Sequence, residues 1–145
     1  MKFFSALQPL GLLVLRIALG VIFIYHGYPK LAHAHGGMQE FFQGHGLPGY
    51  FVSISGVLET FGGALLIAGL FTRPAALLLA GEMAVAIWKV HSLHGIMAVK
   101  DYEFPLSLFA ACFALATVGA GLASLDHVIF GEGGKKRVPF KSSKS

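Results

Sequence analysis

The chain has 145 residues, of which 55% are hydrophobic and only 12% charged, with a formal net charge of +4. That balance, with a positive mean hydropathy, excludes an ordinary soluble domain and points to a membrane protein. The basic excess is not interleaved with aromatic side chains into a nucleic-acid surface, so no nucleic-acid partner is expected.

The first apolar run covers 9–28. One lysine, an apolar stretch and the small-residue pattern Ala32-His33-Ala34 imitate a cleaved signal peptide, but the run is too long for one and contains Arg16. It is expected to remain as a first membrane helix. Further runs at 52–72, 74–90 and 104–123 have the roughly 17–25 residues a crossing needs, so the expected fold is all-α, an integral-membrane four-helix bundle. The bundle is expected to occupy 1–130, followed by a flexible basic tail over 131–145. Lys2, Arg73, Lys135, Lys136, Arg137, Lys141 and Lys144 fall on one side of the four spans, and Lys30, Lys89 and Lys100 on the other. The positive-inside rule then puts both termini in the cytoplasm of a bacterial inner membrane, with the tail against anionic lipid.

Three spans carry an ionisable residue: Arg16, Glu59 and Glu82. Such residues are expensive in hydrocarbon and mark a protein interior or a site. Helical spacing gives them direction, since residues three and four apart share a face. Arg16, Gly20, Phe23, Gly27 and Lys30 make one stripe, and Ser55, Gly56, Glu59, Gly62 and Gly63 another. Glycine on a membrane helix admits a second backbone, so both stripes read as packing faces. Depth, at 1.5 Å rise per residue, places Arg16 roughly 15 Å below His26 and Glu59 roughly 10 Å below Phe51, and suggests an Arg16–Glu59 pair. In the third span His91 shares a face with Ala80, Ala84 and Trp88, the expected inward face. Glu82 and Lys89 then point outward, and Glu82 is expected at an interface with a second copy or another membrane protein, or else protonated against lipid.

Six of seven histidines collect at one level: His26, His33, His35, His45, His91 and His94. With Glu103 they form a titratable ring at the outer mouth. His33-Ala34-His35 lacks a cysteine or carboxylate at zinc-site spacing, and two lone histidines do not define haem ligands, so neither a metal nor a haem is expected. Cys112 is the single cysteine, which leaves no dithiol centre, and no flavin motif is present.

Several stretches together resemble the DoxX family of small bacterial four-helix membrane proteins. They are Leu15-Arg16-Ile17-Ala18-Leu19-Gly20, His26-Gly27-Tyr28-Pro29-Lys30-Leu31, Gly46-Leu47-Pro48, Gly56-Val57-Leu58-Glu59-Thr60-Phe61-Gly62-Gly63 and Gly69-Leu70-Phe71-Thr72-Arg73-Pro74-Ala75-Ala76. Met83 through His91, Tyr102-Glu103 and Ser124-Leu125-Asp126 complete the set. The resemblance covers about Leu10 to Phe130 and leaves Glu82 outside the family pattern. It implies a link to the quinone pool, because the family takes its name from a subunit of a membrane thiosulfate:quinone oxidoreductase, and some relatives resemble membrane partners of a superoxide dismutase and a sulfurtransferase. The expected activity is that of a quinone-linked oxidoreductase subunit working with a redox partner protein. On this reading His26, His91 and Glu103 handle protons, while Arg16, Glu59, Phe23 and Trp88 bind quinone. Gly62, Gly63 and Glu82 serve packing or an interface. The alternative is a non-enzymatic scaffold or anchor whose internal polar residues only lock helix packing.

Overall fold

The computed structural model describes residues 1–32, 40, 43–44, 46–95, 97 and 99–131, the side chains of 90–94 excepted. His33, His35, His45, the basic tail and the side chains of His91 and His94 therefore lie outside the described residues. The helices are α1 (Lys2–Ala32), α2 (Phe51–Ala68), α3 (Thr72–His94), α4 (Val99–Val118) and a short α5 (Leu125–Phe130). The chain is all-helical, with α1, α2 and α4 each long and apolar enough to cross a membrane. The 23 residues of α3 give about 34 Å, enough to span as well.

Close packing is strongest within two hairpins, α1 with α2 and α3 with α4, and lighter between them. Glycine explains the first hairpin. A Cβ on Gly20 would lie 2.6 Å from the Gly63 carbonyl oxygen, and one on Gly63 would lie 2.7 Å from the Gly20 carbonyl oxygen. The two backbones touch there, as the sequence stripes predict. Gly62 faces the other way, onto Leu79 of α3. Leu19, Phe23, Leu66, Leu79, Leu108, Cys112 and Leu115 fill the space between the hairpins.

The helix ends differ from the hydropathy limits for local reasons. Apolar sequence continues to Phe71, yet α2 stops at Ala68 because Gly69 turns left-handed at φ 68°. The Leu70 N–H reaches back to the Leu65 carbonyl at 3.0 Å and the Gly69 N–H to Leu66 at 3.2 Å, which satisfies the helix end. Similarly, α4 ends at Val118 before Gly119 and Gly121, both at positive φ. At 31 residues, α1 is about 46 Å long and outruns the bilayer core of about 30 Å. Arg16 abuts Gly69, so the first three turns of α1 project past the end of α2.

Candidate functional site

The charged residues inside the spans separate into two groups, one at each end of the bundle. At the end where α1 starts, Arg16 is fully buried and donates through Nη2 to the Ala123 carbonyl between α4 and α5. Asp126 supplies the nearby opposite charge. The Asp126 carboxylate also accepts from the Phe71 N–H at 2.7 Å and the Thr72 N–H at 2.9 Å. It thereby caps α3, and its own N–H donates to Gly69 at 2.8 Å. Phe71, held at φ 48°, occupies a backbone region costly for an aromatic residue, and the Asp126 cap secures it. Arg73 closes the other hairpin by donating to the Val118 carbonyl at 3.3 Å.

This network replaces the expected Arg16–Glu59 pair. The depth argument counted down from His26 and Phe51 as level outer ends, but α1 continues to Ala32 and the Gly20–Gly63 contact sets the register about 9 Å away from that alignment. Arg16 consequently meets the α2–α3 turn. Glu59 lies ten residues further up α2, about 15 Å away along the axis.

The second group lies deeper in the other half of the bundle. Glu59 is buried and pairs with Lys30, whose Nζ lies 2.6 Å from Oε2. The same ammonium donates to the Ser55 hydroxyl at 2.9 Å, and Ser55 donates to Glu82 Oε1. A continuous hydrogen-bonded row thus runs Glu59–Lys30–Ser55–Glu82 across α1, α2 and α3. The row needs close approach of α1 and α2, and Gly56, under the Lys30 Cβ, permits it.

These four residues line one side of a cavity of about 250 Å³ between α2 and α3. Phe51, Ile54, Leu58, Met83 and Val85 supply apolar walls. Ile54, Gly81 and Val85 are exposed on the outside of the bundle, so the cleft opens sideways, toward where lipid lies. A larger cavity of about 760 Å³ sits at the opposite end. Of its polar lining, Arg73, Ser124 and Asp126 are engaged at helix ends, while the buried Thr72 hydroxyl has no partner among the described residues. The smaller cavity holds the charges that capping does not account for, and it is the candidate site.

The orientation expected for α3 is corrected here. Its inward stripe is Ala75, Leu79 and Glu82, with Ala76, Ala80 and Met83 beside it. Glu82 faces Ser55 rather than an outside partner. Trp88 is 64% exposed, with the Lys89 Nζ 5.0 Å from its ring centre. An amphipathic indole suits a membrane boundary better than a packed interior. Using His91 as the inward marker rotated the helix; Leu79 and Met83, the large residues that fill the core, are the better guide.

The remaining expected site residues are dispersed. Phe23 is buried in the core. His26 is exposed, with Nδ1 2.8 Å from the Ile22 carbonyl and its ring 5.4 Å from that of Phe104. Glu103 is exposed, and its carbonyl accepts from Ser107 at 2.9 Å. Neither His26 nor Glu103 lines either cavity. Lys30 and Ser55 were on the sequence stripes without an assigned role; the available signal was that Ser55 lies one turn from Glu59 on α2 and Lys30 one turn from Gly27 on the facing glycine stripe of α1. Asp126 lay in a short motif whose spacing gives no hint of Gly69 or Phe71.

Comparison with known proteins agrees with this architecture. The chain is 33% identical over 121 residues to a Bacillus subtilis protein named "Putative oxidoreductase CatD", covering 83% of this chain and 88% of the relative. It is 38% identical over 131 residues to the Escherichia coli inner membrane protein YphA, covering 86% and 94%. With inner membrane protein YqjF of the same organism the identity is 29% over 128 residues, covering 85% and 95%. No solved structure matches the chain. The DoxX family model matches residues 11–92, a stretch that includes Arg16, Lys30, Ser55, Glu59 and Glu82, and the chain is a member of the DoxX family of membrane proteins.

Proposed function

We propose that the protein is a quinone-linked subunit of a redox system in the bacterial inner membrane, with both termini cytoplasmic, and that it receives the quinone ring in the cavity between α2 and α3. The observation that carries this reading is the cavity's composition: an apolar cleft open to the side, with one part-buried row of Lys30, Ser55, Glu59 and Glu82 along its wall. A lipid-soluble ligand with oxygen acceptors fits such a site, because apolar walls take its ring and the polar row takes its carbonyls. The volume suits a single ring, with the tail left in the bilayer. Relatives named for the inner membrane and for oxidoreductase activity support the same reading.

Lys30 is the cation closest to the cleft and would polarise a carbonyl, while Glu59 holds the ammonium in place. The helices supply no dithiol, since Cys112 is the single cysteine, so electrons would come from a partner protein. The test is calorimetric titration of the full chain in lipid nanodiscs with a short-chain quinone analogue. Saturable binding, weakened about tenfold by Lys30→Met, is expected, because a hydrogen bond to a charged donor contributes about 1.5–3 kcal/mol. A pure scaffold would show no saturable binding.

A further inference from the structure

Resting on that reading, we infer that Glu82 is a neutral carboxylic acid whose Oε2–H, buried at the cavity wall, turns to the ligand's oxygen as its donor. The charges and hydrogen bonds of the part-buried row lead to it. Among the described residues the charged groups near Glu82 are Glu59 and Lys30: α1 contributes the ammonium, α2 the second carboxylate and the Ser55 hydroxyl. On its own helix, Lys89 is turned toward Trp88 and Gly46. Lys30 is 2.6 Å from Glu59, and that pair is already electrically balanced. A second ionised carboxylate would leave a net negative charge half-way across the bilayer, the arrangement most costly in hydrocarbon.

On a neutral Glu82 the hydrogen bonds decide which oxygen carries the proton. Ser55 accepts from Lys30 at 2.9 Å, so its single proton is free to go to Glu82 Oε1. Oε1 is then the carbonyl oxygen of an acid, and the remaining proton sits on Oε2. Among the described residues Oε2 is buried and has no hydrogen-bond partner, although Glu82 lines the cavity. A buried donor without an acceptor is costly to leave unmade. An acceptor oxygen on a ligand in the cleft would complete it. The site therefore takes an uncharged oxygen acceptor, such as a quinone carbonyl, and disfavours carboxylates and other anions that would face the Glu59–Glu82 side.

Infrared difference spectroscopy on the full chain in nanodiscs at neutral pH, alone and with the short-chain quinone analogue, tests this directly. A protonated-carboxyl band is expected in the unliganded protein, absent from Glu82→Gln and shifted when the analogue binds. Glu82→Gln, which keeps an N–H donor, should retain affinity within about threefold, and Glu82→Met should lose about tenfold, the worth of one hydrogen bond. Circular dichroism and gel filtration of both variants establish that each is folded. Analogue binding without the band, or without a shift in it, overturns the neutral-donor assignment while leaving the quinone site standing. A band present in a protein that binds no analogue at any concentration overturns both the ligand and the contact assigned to Oε2.

Discussion

A lysine ammonium placed inside a bilayer must be neutralised where it sits, and Lys30 meets that demand with Glu59 and Ser55 at 2.6 and 2.9 Å. Removing one member strands the other. Lys30→Met alone is expected to cost about 3–5 kcal/mol, and Lys30→Met with Glu59→Gln less than the single change, because the unpaired charge is gone. Reversible unfolding in mixed micelles measures this; equal or greater loss in the double variant would mean that the pair is not coupled. Asp126 carries the corresponding role at the other end, where it accepts from two N–H groups. Asp126→Ala should lower stability by about 1–2 kcal/mol, the value of a helix cap, measured by the same unfolding. The faces of Arg16 and Glu59 were legible from spacing, since both are buried as their stripes require. Their partners were not, because pairing depends on register between helices and hydropathy sets a helix end only to within a turn.

Glycine sets that register. Gly20 and Gly63 face one another so closely that either Cβ would strike the opposite carbonyl oxygen, whereas a Cβ on Gly11 would meet nothing within 4 Å. Gly63→Ala should separate α1 from α2, while Gly11→Ala should be neutral or gain up to about 1 kcal/mol from helix propensity. Thermal melts monitored by circular dichroism distinguish the two, and an equally small effect at both positions would contradict the contact. The glycine stripes were readable because close approach leaves a mark in sequence at helical spacing. On α3 the mark was weak: small residues occur on several faces, and a histidine near the end misled where Leu79 and Met83 would have guided. The ends of α2 and α4 were hidden for another reason. A left-handed glycine such as Gly69 stops a helix irrespective of the apolar residues beyond it.

At the scale of the molecule, two glycine-tight or core-filled hairpins leave a cleft between them at the Phe51 end and a clasp of Arg16 and Asp126 at the other. The clasp fixes one end, and the cleft opens at the other. Four crossings put the start of α1 and the end of α4 on the same side, and the proposed orientation, with that side in the cytoplasm as the positive-inside rule expects, is open to a direct test. In a Cys112→Ala background, Tyr50→Cys is expected to react with an impermeant thiol reagent from the periplasm and Ser5→Cys to be protected until the membrane is opened. The reverse pattern would invert the bundle. The four-helix membrane architecture was legible from composition and run length alone, but the cleft was not, because it arises from packing between α2 and α3. The most direct measurement for the account is photolabelling of the full chain in membranes with an azido-quinone, followed by peptide mass spectrometry. Labels are expected on 51–58 and 81–86, competed by unmodified quinone and reduced by Lys30→Met. Saturable labelling confined to the Arg16–Asp126 end, or labelling that unmodified quinone does not displace, would contradict it.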